Sequence, residues 1–123
     1  MLMNPEGKAI IEQESHKLGL PSGDVVVANE VEIARGIIRT TILQLKGLEL
    51  YQKQKLKIRL YDEFIPWWLY VFDNRKAYVG ILEKGKSGRE SPVLILKKND
   101  QYASAFDAFE MTWERMWGQA KDA

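Results

Sequence analysis

Apolar residues recur at three- and four-residue steps through residues 30–50, and this spacing predicts a long helix with one apolar face. Residues 4–18 carry a weaker pattern of the same kind and predict a shorter helix, which ends at the glycine- and proline-containing segment 19–23. Between the two helices, three consecutive valines predict a short buried strand from Asp24 to Ala28. We expect this strand to pair in parallel with the first strand after the long helix.

That next strand is predicted from Lys55 to Tyr61 by a strict alternation of apolar and other side chains. Lys55, Lys57 and Arg59 share one face of it, so the strand has a basic face. Three further apolar runs predict strands, of which the first two are joined by a tight hairpin at residues 74–76. These strands run from Trp67 to Asp73, from Ala77 to Leu82 and from Val93 to Lys97.

The chain closes with a predicted aromatic helix, for which Asn99-Asp100 is the expected N-cap. Its apolar residues step by four, three, four and three positions: Tyr102, Phe106, Phe109, Trp113 and Met116. Together the elements predict an α/β fold in which a mixed sheet of about five strands is flanked by helices. Residues 1–23 are expected to form an N-terminal helix and linker, and residues 24–123 the α/β domain.

Length and composition narrow the possible classes of protein. The chain has 123 residues and a formal net charge of +1, which fits one globular domain and disfavours a strongly basic nucleic-acid binder. It has no cysteine and a single histidine, His16, so we expect no metal site and no other cofactor. The longest apolar run, Phe64 to Phe72, is far shorter than the roughly 20 residues that span a bilayer. We therefore expect a soluble, cytoplasmic protein that does not interact with membranes.

Residues 80–87 match the phosphate-binding pattern G-x-x-x-x-G-K-[ST]. In that motif backbone amides surround a phosphate and a helix begins at the lysine. Gly88 and Pro92 disfavour a helix here, and Ile81 and Leu82 are expected to continue a strand. We interpret the match as a basic loop and expect no nucleotide binding.

Four segments resemble the phospholipase D-like half-domain: residues 57–61, 65–74, 77–80 and 106–117. Active members of that family carry H-x-K-x4-D and, after six more residues, G-S-x-N. Asp73 and Gly80 stand at the family spacing, but the histidine and lysine positions hold Pro66 and Trp68. The serine and asparagine positions hold Ile81 and Glu83.

These substitutions determine what chemistry the resemblance implies. The family mechanism needs a histidine nucleophile that attacks phosphorus and a lysine that holds the phosphate charge. Proline and tryptophan can do neither. The resemblance therefore implies a domain without phosphodiesterase activity.

Degenerate domains of this type resemble the effector domains of TrmB-like and some LuxR-like transcription regulators, which also end in an aromatic helix, here Phe109-Glu-Met-Thr-Trp113. The resemblance implies a non-catalytic module that senses a small-molecule effector or dimerises, with DNA contacted only through a separate domain. The ligand-binding residues it implies are Trp68 and Glu83, whose positions face the family's cleft. Arg59 or Tyr61 on the neighbouring strand would supply a polar contact.

A homodimer is expected, because a lone half-domain exposes the apolar surface around Trp68 and a second copy can cover it. An alternative function stays open. The basic strand face, together with Lys84, Lys86 and Arg89, favours a module that binds nucleic acid or phospholipid. A residual hydrolase ranks below both.

Overall fold

The structure is a computed structural model that describes residues 1–86 and 88–123. Its elements, in chain order, are β1 (Leu2–Met3), α1 (Ala9–Leu18), α2 (Val25–Lys46), α3 (Glu49–Gln52), β2 (Arg59–Tyr61), β3 (Trp67–Phe72), β4 (Lys76–Ile81), a 3-10 turn (Gly88–Glu90), β5 (Val93–Lys97), α4 (Ala105–Gln119) and β6 (Lys121–Asp122). This mixture confirms the predicted α/β class. None of the helices in the described residues is long and apolar enough to cross a membrane.

The strands of the described residues form two separate three-stranded sheets. In the first, β2 lies between β1, with which it pairs in parallel, and β6, with which it is antiparallel. In the second, β4 lies between β3 and β5, and both pairings are antiparallel. The predicted single sheet of about five strands is therefore not confirmed.

The segment from Asp24 to Ala28, which the valines predicted as a strand, is instead the beginning of α2. Asp24 is the N-cap, and its carboxylate accepts a hydrogen bond from the Val26 amide at 2.8 Å. Val27 and Val31 lie one turn apart and are both buried in the core shared with α1. Packing at helical spacing outweighs the β-propensity of valine here. The parallel partner of β2 is accordingly β1, and the expected strand–helix–strand unit does not begin at Asp24.

The first core lies among β1, α1 and α2, where Ile10 and Val27 are fully buried. Asp62, just after β2, fixes the start of α1, because its Oδ1 accepts a hydrogen bond from the Ala9 amide at 2.8 Å. Gly7 leaves room for this contact, since a Cβ there would lie 2.3 Å from Oδ1 of Asp62. The first sheet and the helical pair are thus joined by a helix cap from a distant part of the chain.

The second core lies between α4 and one face of the sheet β3–β4–β5, which we call the inner face. Val79 and Phe106 are fully buried there, and the ring of Trp67 contacts Phe109 edge-on at 5.2 Å between centroids. The start of α4 differs from the prediction. Ser104, not Asn99-Asp100, is the N-cap, and it forms a capping box with Asp107.

The opposite face of this sheet, the outer face, is left uncovered by the described residues. Side chains alternate along a strand, so Trp68, Tyr70 and Phe72 project to this face while Trp67 projects inward. Tyr70 and Phe72 are 62% and 53% exposed. Tyr78, on β4, meets Phe72 edge-on at 5.8 Å.

Candidate functional site

A cleft of about 380 Å³ runs along the free edge of β3, beside α4. Half of its lining residues are aromatic. They come from the chain start, the end of β2, Ile65 just before β3, all but the last residue of β3, and α4. The lining residues are Met1, Tyr61, Ile65, Trp67, Trp68, Leu69, Tyr70, Val71, Trp113 and Met116. None of these described side chains is charged, but Met1 also carries the α-amino group of the chain, and burial lowers the pKa of this group below its ordinary value of 8.0.

The backbone of β3 contributes hydrogen-bonding groups to this cleft. The Leu82 amide donates to the Pro66 carbonyl oxygen at 2.8 Å. Because bonded and non-bonded pairs alternate in an antiparallel ladder, the bonds to β4 then fall on Trp68 and every second residue after it. The amides and carbonyls of Trp67, Leu69 and Val71 face away from β4, at the edge that lines the cleft.

Tyr61, at the end of β2, lines this cleft and also a smaller cavity that contains Glu63. Burial, and in second place the nearby Glu63 carboxylate, raises the pKa of Tyr61 above its ordinary value of 10.0. Its hydroxyl makes no hydrogen bond within residues 1–86 and 88–123. A protonated, unpaired hydroxyl in an aromatic cleft can donate to a ligand or accept from one.

Trp68 lines the cleft at the point where it meets the outer face. Its indole packs over Gly80, its cross-strand partner, so closely that a Cβ on Gly80 would lie 1.9 Å from Cε2 of the indole. Tyr70 flanks it with a ring-centroid distance of 5.4 Å. Trp68 and Tyr61, two of the four residues proposed from the sequence, therefore lie on the same cleft.

Arg59, the third of these residues, lies elsewhere. Its guanidinium sits 4.7 Å from the ring centroid of Trp117 and donates to the Trp117 carbonyl oxygen at 2.9 Å. It also pairs with Asp122 at 3.3 Å. Arg59 thus anchors the end of α4 and β6 to β2, and it does not line the cleft.

Glu83, the fourth, lies beyond the end of β4 and pairs with Lys86 at 2.7 Å. This contact is exposed, and Glu83 does not line the cleft either. The loop that carries it is attached to α1, because the Gly85 amide donates to the His16 carbonyl oxygen at 2.9 Å. The His16 side chain makes a second link, with Nε2 at 3.1 Å from the Leu82 carbonyl oxygen.

The remaining motifs of the sequence also have structural positions. Asp73 and Asn74 both have φ of +54° and form the turn between β3 and β4, in which the Arg75 amide donates to the Phe72 carbonyl oxygen at 3.1 Å. This confirms the hairpin and gives Asp73 a backbone role, since aspartate and asparagine tolerate positive φ.

The phosphate-binding pattern is not built as a loop before a helix. Gly80 and Ile81 belong to β4, and no α-helix starts at Lys86. Its last position, Ser87, lies outside the described residues. The predicted basic strand face is also smaller than expected, because Lys55 and Lys57 precede β2, which begins at Arg59.

The α4 side of the cleft, formed by Trp113 and Met116, was not predicted from the sequence. Their spacing was visible in the aromatic helix, but neither was proposed as a site residue. Trp113 stacks on Trp117 at 5.5 Å with nearly parallel rings and stays partly exposed. Only the placement of α4 against β3 shows that Trp113 faces the cleft.

Comparison with known proteins adds no family. No family model matches the chain, and no curated protein and no solved structure matches it significantly. The similarity to phospholipase D-like domains therefore stays a prediction. Within the described residues, no group of histidine, aspartate and glutamate side chains is placed to hold a metal ion.

Proposed function

We propose that this chain is a non-catalytic ligand-binding module of a regulatory protein, and that it binds a small, neutral ligand in the cleft beside β3. The observation that carries the proposal is the lining of the cleft. It combines tryptophan side chains with the free backbone edge of β3 and two hydroxyls that have no hydrogen-bond partner in the described residues, on Tyr61 and Tyr70. Small-molecule sites typically have this composition, with apolar walls and a few placed polar groups.

The lining also supports a choice of ligand class. No side chain in the lining is charged, and burial lowers the pKa of the Met1 α-amino group, which favours its neutral form. An ionised ligand would therefore lose its hydration without gaining a side-chain ion pair. A neutral molecule with a ring face and several hydroxyl groups, such as a sugar, stacks on tryptophan and hydrogen-bonds to a strand edge. A volume of about 380 Å³ accommodates a molecule of that size.

A ligand-observed NMR screen with neutral mono- and disaccharides tests the proposal. Tyr61→Phe keeps the ring and removes the hydroxyl, so we expect the dissociation constant of a hit to rise by about 3- to 10-fold. Trp113→Ala removes one wall and should weaken binding further. Tyr102→Phe is the matched control, because Tyr102 is exposed and does not line the cleft. A panel without hits, or hits that both cleft variants bind unchanged, would contradict the proposal.

The non-catalytic part of the proposal rests on the residues in the family's motif positions. Pro66 and Trp68 supply neither a nucleophile nor a charge, and Asp73 is engaged in a hairpin turn. We expect no turnover of a bis-aryl phosphodiester. Hydrolysis that disappears in Asp73→Ala would show that the domain is an enzyme.

A second candidate function rests on the outer face of β3–β4–β5. Lys76 and Lys97 stand directly opposite each other there, although like charges at such positions repel. Lys76 lies 5.1 Å from the Tyr78 ring, and the exposed rings of Tyr70 and Phe72 continue the surface. Aromatic side chains beside cations suit a single-stranded nucleic acid, with bases on the rings and phosphates at the lysines.

Fluorescence anisotropy with a labelled oligothymidylate at two salt concentrations tests this second candidate. Binding should weaken steeply with salt, and it should weaken in Lys97→Ala but not in Lys46→Ala, which changes a lysine on α2. The Tyr61→Phe variant should have no effect on it. Absence of binding at low salt would exclude the nucleic-acid function.

A further inference from the structure

The free edge of β5 is the least protected part of the second sheet. The sequence from Val93 to Leu96 is Val-Leu-Ile-Leu, and its first three residues are all exposed. Within the described residues no strand pairs with β5 on the side away from β4. Edge strands usually carry charges, prolines or bulges that prevent pairing with other chains. Here such residues stand only at the borders of β5, where Pro92 directly precedes the strand and Lys97 is its last residue.

The backbone groups at this edge are arranged for another strand. The Ile81 amide donates to the Pro92 carbonyl oxygen at 3.0 Å, and the Lys98 amide donates to the Arg75 carbonyl oxygen at 2.8 Å. Both bonds fit one antiparallel register, in which the bonded residues of β5 are Leu94 and Leu96. The amides and carbonyls of Val93, Ile95 and Lys97 therefore face outward without a strand partner.

The surface area of the chain leaves room for an interface of standard size. The chain exposes 8410 Å². A typical folded monomer of 14.2 kDa exposes about 6,800 Å². The excess of roughly 1,600 Å² is more than the ~800 Å² that each partner buries in a stable interface of standard size.

We propose that two copies of this chain form a dimer by antiparallel pairing of their β5 strands, which makes one continuous six-stranded sheet. The strand is self-complementary about Ile95. If Ile95 lies on the two-fold axis opposite its own copy, all outward-facing groups are paired, and each Lys97 lies opposite a valine, Val93, of the other copy. The exposed side chain of Leu94 then meets Leu96 of the other copy on the inner face. A one-step shift of the axis to Leu96 leaves fewer apolar pairs.

This interface differs from the one expected from the sequence, which was centred on Trp68. Trp68 lies on β3, at the opposite edge of the same sheet, and its indole is already packed over Gly80. The dimer is independent of the ligand proposal, since the cleft lies along β3 and stays open in it. Pairing through β5 also makes the outer faces of the two copies continuous.

Sedimentation equilibrium over a wide concentration range tests the proposal on the full chain. The wild type should reach twice 14.2 kDa. Ile95→Lys places two lysines against each other at the axis and should raise the dissociation constant of the dimer by at least about 100-fold. The matched control is Ile33→Lys on α2, because Ile33 is 55% exposed and Ile95 is 58% exposed. Ile33→Lys and Trp68→Glu should both remain dimeric.

A milder variant tests the same β5 contact and keeps the experiment conclusive if Ile95→Lys does not fold. The chain has no cysteine, so Ile95→Cys introduces a single thiol, which lies beside its own copy across the axis. A short bismaleimide should cross-link Ile95→Cys into a dimer and leave Ile33→Cys uncross-linked at the same concentration. A wild type that is monomeric throughout, a dimer lost in Ile33→Lys or Trp68→Glu but kept in Ile95→Lys, or equal cross-linking of the two cysteine variants would each overturn the proposal.

Discussion

The indole of Trp68 lies on the α-carbon of Gly80, its direct partner across the β3–β4 hairpin. A glycine in a strand costs conformational entropy and offers no side chain for packing. Here the ring of Trp68 covers the space that the missing side chain leaves, and the pair fixes the position of one wall of the cleft. Gly80 stands at the glycine position of the phospholipase D-like motif, but its packing against Trp68 is enough to explain a glycine there.

From this contact we predict that Gly80→Ala destabilises the protein and displaces Trp68. The new Cβ would lie 1.9 Å from the indole, so the ring has to rotate away. We expect a loss of about 1–3 kcal/mol in the free energy of unfolding, measured by urea denaturation, and a shift in tryptophan emission. Gly36→Ala is the control, because nothing lies within 4 Å of a Cβ there. In the middle of α2 this change should add about 0.5–1 kcal/mol. Equal effects of the two variants would contradict the role of Trp68.

We predict that Asp62→Ala removes the cap of α1 and lowers stability by about 1 kcal/mol. The Ala9 amide loses its partner at 2.8 Å, and the link between the first sheet and the helical pair is lost with it. Asp100→Ala is the matched control. Asp100 makes an exposed ion pair with Arg75 at 2.8 Å, and such pairs contribute little. Thermal unfolding of both variants measures the difference, and a larger loss in Asp100→Ala would show that the cap is unimportant.

The body of α2 and the β3–β4 hairpin were predictable because residues close together in the sequence determine their patterns. The spacing of Val31, Ala34 and Ile38 predicted the body of α2. The hairpin was predicted at residues 74–76, whereas the turn residues with positive φ are Asp73 and Asn74. The beginning of α2 was missed because a run of valines fits both a buried strand and a helix turn. What decided it was the burial of Val27 beside Val31, which is a tertiary contact.

The division into two sheets could not be predicted in the same way. β1 contains only Leu2 and Met3, which is too short for any periodic pattern, and its partners are Leu60 and Tyr61 far along the chain. The candidate site likewise depends on contacts between distant parts of the chain. Tyr61 and Trp68 were proposed from the resemblance to the phospholipase D-like half-domain, which also pointed to Arg59 and Glu83 outside the cleft. Trp113 joins them only through the packing of α4 against β3.

The buried carboxyl group of Glu14 leads to a substitution that we expect to stabilise the protein. Glu14 lies on α1 and is almost completely buried, and its Oε2 has no hydrogen-bond partner in the described part of the chain. Lys17 approaches at 3.8 Å but remains largely exposed. A buried polar atom without a partner costs about 1–3 kcal/mol. Glu14→Met, which keeps the length of the side chain, should therefore raise stability by about 1 kcal/mol. Glu12→Met, an exposed position on the same helix, should change it by less than about 0.5 kcal/mol.

The stability of the protein should depend on pH in the alkaline range because of Tyr61, and the burial of Tyr61 determines the sign of this dependence. Because burial and the neighbouring Glu63 raise the pKa of Tyr61 above 10.0, the folded state holds this proton at pH values where the unfolded chain has lost it. The unfolded state then binds fewer protons, so stability decreases as pH increases in that range. The contribution of Tyr61 is fully present below pH 10 and is lost as pH rises through the folded-state pKa.

Tyr61→Phe removes this titration and should flatten the decline of unfolding free energy above pH 10, while Tyr102→Phe, at an exposed position, should leave the wild-type slope. Urea unfolding at a series of pH values from 8 upward measures both slopes. A bound neutral ligand that uses the Tyr61 hydroxyl as a donor would stabilise the protonated form and move the decline of the wild type to still higher pH. The ligand should produce no such movement in Tyr61→Phe, because that variant has no proton at this position to hold. An equal decline in the wild type and in Tyr61→Phe would mean that the tyrosine at the cleft is not the group that titrates.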